Sequence, residues 1–172
     1  TSPRTTRIIH SVLHVALNHA LKQELIIRNV SDAVTLPKVP RKEMKTLDDY
    51  EVRLLFEVAE GTRMQVLFWI AVTTGMRMGE ILGLKWGDFH QNSGNLHIQR
   101  QVQRRKGQGL VFWPPKSASG IRVIKLGKTT VEKLKAHRND QHRERMLAGE
   151  KWQDYDLIFS TPIGTTLDNS NV

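Results

Sequence analysis

From Arg63 to Thr74 the chain reads RMQVLFWIAVTT, apolar on nearly every side of a helix. A helix without a polar face belongs inside a domain, so the remaining elements have to surround it. The chain has 172 residues and 39% hydrophobic content, enough for one domain with a core or one lobe plus part of another. The uninterrupted apolar run, Val66 to Val72, is far shorter than the roughly 20 residues that cross a bilayer. With no signal-peptide pattern at the N-terminus, the expectation is a soluble, intracellular protein.

Charge narrows the partner. Lysine and arginine number 26 against 17 acidic residues, a net charge of +9, which favours a polyanion, nucleic acid first. Cysteine is absent, which excludes a disulfide framework and a thiolate zinc site.

Periodicity organises the rest. Ile9, Val12, Leu13, Ala16, Leu17 and Ala20 fall on one face of a helix predicted from about Thr5 to Arg28, a stripe that needs a covering partner. Residues 36–45, LPKVPRKEMK, combine two prolines with four basic residues and read as an extended cationic linker. Thr46, with Asp49 three residues on, is the expected cap of a helix running to about Glu60. Gly75 can end the apolar helix in the left-handed conformation, and a third helix is expected from about Arg77 to Lys85. Gly79 and Gly83 inside it imply close packing or backbone approach, since each costs about 1 kcal/mol against alanine. The period then alternates, predicting strands at Leu96–Val102, Leu110–Trp113 and Ile121–Leu126, with a turn over Ser117–Gly120. Helical spacing returns from about Thr129 to Leu147, before a short strand and turn in DLIFSTPIGTTLD. The expected fold class is α+β, mainly helical, with a small three-stranded antiparallel sheet.

Arg77, in TTGMRMGEILGLKWGDF, is a permanent cation between two methionines at a helix start. It needs a carboxylate or an external anion to neutralise it. Glu80 can supply the first as a structural ion pair. A phosphate can be the second, because a helix N-terminus favours anions and a guanidinium adds a bidentate fork. Lys116, in PPKSASGIRVIKL, is either a solvated turn residue or an ammonium delivered by a hairpin tip as a proton donor.

Together these stretches resemble the tyrosine recombinase, or phage integrase, family. TTGMRMGEILGLKWGDF is similar to the family's first active-site box, whose Thr-Gly-x-Arg gives an arginine to the scissile phosphate, at Arg77 here. PPKSASGIRVIKL is similar to the family's lysine hairpin, with Lys116 the matching lysine and Lys125 where many members carry proline. LIFSTPIGTTLDNSNV resembles the segment leading to the next box. The resemblance implies the C-terminal part of a core-binding domain over residues 1–36, a basic linker over 37–45, and the N-terminal part of a catalytic domain over 46–172. The family's His-x-x-Arg box, its later His or Trp and its tyrosine nucleophile are expected beyond Val172. Tyr50 and Tyr155 are expected to pack, and this stretch alone to be inactive.

The resemblance further implies site-specific DNA recombination through a 3′-phosphotyrosyl intermediate, with no metal or nucleotide cofactor. Its partner is a duplex attachment site bound by a homo-tetramer, in the cytoplasm of a bacterial host. Phosphate contacts are expected from Lys38, Arg41, Lys42 and Lys45 of the linker and from Arg104, Arg105 and Lys106 of a flexible cationic hairpin, RRKGQG. That hairpin lacks the strand, glycine spacing and Lys-Ser/Thr ending of a nucleotide loop. His10 and His14 have the spacing of a metal pair but no third ligand nearby. The basic face formed by Lys133, Lys135, Arg138, Arg143 and Arg145 is also accounted for by simple solvation of a helix surface. A non-catalytic DNA-binding regulator on the same scaffold is the alternative. An RNA-binding protein accounts for the charge but not for the paired Arg and Lys segments.

Overall fold

The structure is a computed structural model that describes residues 1–40, 43–115 and 118–169. Arg41, Lys42, Lys116 and Ser117, named above, lie outside the described residues. The chain forms two compact units, Thr1–Thr46 and a second beginning at Leu47.

The first unit is built on helix α1, Pro3–Lys22. Ser2 caps it by accepting the Thr5 N–H at 3.2 Å, and Pro3 occupies a first-turn position where no N–H is needed. The helix ends at Lys22, not near Arg28, because the chain turns through a left-handed Glu24 with φ 59°. Its packed face mixes half-buried Leu17, Ala20 and Leu21 with polar groups, so only part of the expected apolar stripe is covered. His10 and His14 bond to the carbonyl and hydroxyl of Ser31 at 3.0 and 2.9 Å, in the single turn Val30–Ala33. Asn29, buried, donates to Asn18 at 2.8 Å and accepts from the Ser31 N–H at 3.0 Å and its hydroxyl at 2.6 Å. Ile9, Val12 and Leu13 are instead exposed.

The second unit opens with α2, Asp49–Ala59. Its cap is Asp48 rather than Thr46: Asp48 accepts the Glu51 N–H at 2.8 Å, and Glu51 accepts the Asp48 N–H at 3.0 Å. A carboxylate with a glutamate three residues on satisfies two orphan donors at once, which Thr46 with Asp49 does not. Helix α3, Gln65–Thr74, buries Val66, Leu67 and Ile70 and ends at Gly75 with φ 62°, as expected. Helix α4 is a single turn and a half, Met78–Leu82, shorter than the predicted Arg77–Lys85.

The strands form two sheets. Strands β1, Phe89–His90, β2, Asn95–Ile98, and β5, Arg122–Lys125, make a three-stranded antiparallel sheet, with Leu96 opposite Phe89 and Ile124. Strands β3, Gln101–Arg105, and β4, Gly109–Trp113, make a separate ribbon closing at Arg105 opposite Gly109. The predicted strand over 96–102 is therefore two strands, and β1 takes the sheet place expected of Leu110–Trp113. The break has a cause. Gln99 and Arg100 both reach Asp88, whereas a pleated strand sends neighbouring side chains to opposite faces.

Leu67, Ile70, Ile81, Leu96, Ile98 and Ile158 are fully buried where α3, α4 and the sheet meet. Helix α5, Lys128–Ala148, packs a largely polar face on this core. Gln141, buried, accepts from Trp86 Nε1 at 2.6 Å and donates to the carbonyls of Leu157 and Ile158 at 3.0 and 3.2 Å. The expected strand in the last segment is reduced to two isolated bridges, Lys85 to Leu157 and Ser160 to Thr166, the second closing a turn in which Thr161 and Thr165 bond to each other. Among the described residues no helix is long and apolar enough to cross a membrane.

Candidate functional site

Arg77 is placed by its neighbours. Gly75 turns the chain out of α3, Met76 is buried as an anchor, and Arg77 in extended backbone (ψ 144°) precedes the first turn of α4. Its side chain is 79% exposed, while the Glu80 side chain beside it is 3% exposed. Arg77 Nη1 lies 3.2 Å from Glu80 Oε1, and the Arg77 N–H donates to Oε2 at 3.2 Å. The structural ion pair is thus present, and it leaves most of the Arg77 side chain open to solvent.

Sequence reasoning missed a third member. Arg122 of β5 donates through Nη2 to Glu80 Oε2 at 2.8 Å and through Nη1 to the Gly120 carbonyl at 3.1 Å. The available signal was register: Arg122 shares the inward phase of β5 with Ile124, and an arginine on a buried phase needs an acid. Burial works to raise the Glu80 carboxyl pKa. The hydrogen bonds from Arg122 and Arg77, with the Arg122 charge, outweigh it and hold the group below the usual carboxylate range.

Lys116 lies outside the described residues, but its flanks are held. Gln101 Nε2 donates to the Pro114 carbonyl at 3.2 Å, and a side chain at Gly120 would run into Pro115. Asp88, buried, pairs with Arg100 and accepts the Lys85 N–H at 2.9 Å, bracing the end of the α4 segment.

The expected phosphate-binding residues fall in two places. Lys38 and Lys45 are exposed in the first unit. At the β3–β4 ribbon, Arg104 pairs with Asp168, Arg105 stacks 4.0 Å over the Trp113 ring, and Lys106 is exposed in the turn. The cations of α5 are partly engaged: Lys133 and Arg138 lie 4.6 and 5.1 Å over Trp69 and Trp86, and Arg145 pairs with Asp154 at 2.9 Å. Tyr155 is 46% exposed and donates to Gln153 at 3.4 Å, and Tyr50 is 72% exposed on α2, so neither packs into the core as expected. No group of three His, Cys, Asp or Glu among the described residues could hold a metal ion.

The sequence profile described as the phage integrase family matches residues 45–144. A tyrosine recombinase XerC-like protein of Caldanaerobacter subterraneus subsp. tengcongensis is 29% identical, over 99% of this chain and 48% of that protein. An integrase of Streptomyces ambofaciens is 31% identical, over 99% of this chain and 45% of its own length. Among solved structures, the Tn1549 transposon integrase in complex with a circular intermediate DNA superposes with a TM-score of 0.74 at 18% identity, covering 99% of this chain and 55% of that one. With an exposed arginine on a buried acid at the start of a short helix, beside a small antiparallel sheet, the chain belongs to the phage integrase family and has the α+β fold of its catalytic domains. It spans about half the length of the curated relatives it matches.

Proposed function

We propose that this chain is part of a site-specific tyrosine recombinase that cuts and rejoins duplex DNA. Residues 1–36 form the end of a core-binding domain, 37–45 a basic linker and 46–172 the first part of the catalytic domain, a reading supported by the division of the chain at Thr46. A tyrosine outside this chain attacks the scissile phosphorus. Its phenolic oxygen becomes bonded to the 3′-phosphate as the bond to the 5′-oxygen breaks, and the released 5′-hydroxyl can later be rejoined to another strand. The stretch is inactive without that tyrosine, and four protomers assemble on paired sites. Lys38, Arg41, Lys42 and Lys45, with Arg104, Arg105 and Lys106, hold the DNA through its phosphates.

One observation carries the reading: a largely exposed arginine side chain whose backbone and one donor are fixed by a buried acid. Such a group is preorganised for charge developing on the non-bridging phosphate oxygens, at a site where desolvation by DNA strengthens the contact. Lys116 gives its proton to the departing 5′-oxygen, which is otherwise a poor leaving group.

The intact protein tests both roles on one site made with either oxygen or sulfur at the bridging 5′ position. Arg77→Ala should fold and bind DNA yet cleave both substrates poorly, a loss of roughly 3 to 4 kcal/mol of barrier stabilisation. Lys116→Ala should be slow on the oxygen substrate and largely restored on sulfur, whose departure needs no proton. Equal impairment of Lys116→Ala on both substrates removes the general-acid role. Unimpaired cleavage by Arg77→Ala removes the clamp.

A further inference from the structure

Glu80 is one carboxylate facing two arginines, and the two contacts are unequal. Arg122 reaches Oε2 at 2.8 Å with a side chain 32% exposed. Arg77 reaches Oε1 at 3.2 Å with a side chain 79% exposed. Each arginine carries one positive charge at any accessible pH, and Glu80 carries one negative charge. With Arg122 in place the cluster therefore has one net positive charge, on the exposed side, at Arg77. Without Arg122, Arg77 and Glu80 would form a neutral pair, and a buried carboxylate with a single partner would draw that guanidinium inward.

We propose that Arg122 is a positioning residue that neutralises Glu80 so that the charge of Arg77 stays available to a phosphate. The proposal rests on the reading of Arg77 as the phosphate clamp. Arg122 need not touch DNA to do this, since its donors are directed at Glu80 and at the Gly120 carbonyl. It also ties the start of β5, which follows the segment bearing Lys116, to the α4 turn bearing Arg77. A merely structural tie and a charge-releasing one differ in a single respect. The second can be replaced by removing the charge it cancels.

Single-turnover cleavage by the intact recombinase, at protein concentrations that saturate the DNA, tests this alongside DNA affinity and thermal melting. Arg122→Gln should slow cleavage about 10- to 100-fold, less than removal of a preorganised donor itself, with DNA affinity nearly unchanged. Combining it with Glu80→Gln should recover cleavage to within about fivefold of the parent, because Arg77 again carries an uncompensated charge. Arg122→Lys, which keeps the charge but not the fork, should stay within about tenfold and decides the matter if Arg122→Gln does not fold. A folded double variant as slow as Arg122→Gln overturns the proposal, as does Arg122→Lys no faster than Arg77→Ala. Should Arg77→Ala cleave normally, the clamp reading fails and the proposal with it. Should Arg77→Ala be inactive while the double variant shows no recovery, only the role of Arg122 fails.

Discussion

His137 shows how much a single residue can depend on distant chain. It lies on α5, and its Nε2 is 2.7 Å from the Ile158 carbonyl, which only accepts, so that nitrogen carries the hydrogen. Burial holds its pKa below the ordinary imidazole range, and the Arg63 charge adds to this against the raising effect of the Ile158 bond and the nearby acids. The folded state therefore favours the neutral ring. Its contribution to stability is complete above the unfolded value of about 6.5 and is lost as pH falls from there towards the folded pKa. Urea midpoints should drop between pH 8 and pH 5.5 more steeply for the parent than for His137→Gln, which keeps a donor but does not titrate. Parallel slopes would assign the acid sensitivity to other groups. Nothing near position 137 in the sequence announces this, because the acceptor is supplied 21 residues later. Glu80 divides the same way: its pairing with Arg77 was legible at three residues' distance, whereas Arg122 comes from 42 residues away in another element.

Elements were legible where one local signal decides them. The all-round apolar α3 and its Gly75 stop needed no tertiary information, and α5 begins and ends within one residue of its expected limits. Where two partners compete for a segment, the sequence was ambiguous. The stretch from Leu96 to Val102 alternates except at Arg100, which stands on the apolar phase of Leu96, Ile98 and Val102, and there Gln99 and Arg100 reach Asp88 and the stretch divides between two sheets. The two glycines of the α4 segment were read correctly as marks of close approach. A Cβ at Gly79 would lie 2.9 Å from the Val102 carbonyl oxygen, and one at Gly83 would lie 3.2 Å from Gln101 Cα. Backbone atoms of β3 cannot swing aside as a side chain can. Gly79→Ala should therefore destabilise by about 1 to 3 kcal/mol through overpacking, despite the roughly 1 kcal/mol that alanine gains in a helix. Gly83→Ala should be milder, since its contacts yield with a smaller shift. Denaturant titration of both variants checks the order, and a stabilised Gly79→Ala would show that α4 and β3 are not in tight contact.

At the scale of the whole molecule the governing quantity is the charge of +9 and how much of it is free to meet phosphate. The sequence counts cations without saying which are already occupied. In the ribbon, Arg104 is paired with Asp168 and Arg105 lies on Trp113, so contact with DNA must compete with partners already made. Lys38 and Lys45 are exposed, and the prolines around them deny the segment regular structure. The linker should therefore contribute more of the salt-dependent affinity per cation than the ribbon does. On duplex DNA the slope of log affinity against log salt should be about −0.9 per phosphate neutralised. Replacing Lys38, Arg41, Lys42 and Lys45 with alanine should make it shallower by up to about 0.9 for each cation removed, and similarly for unrelated DNA sequences, since phosphates carry no sequence information. Arg104→Ala should change it less, because the Asp168 carboxylate it releases repels the same backbone. Affinity that stays flat between low and moderate salt would overturn phosphate binding altogether. An unchanged slope in the linker variant, with a large change for Arg104→Ala, would instead place the main contacts on the ribbon.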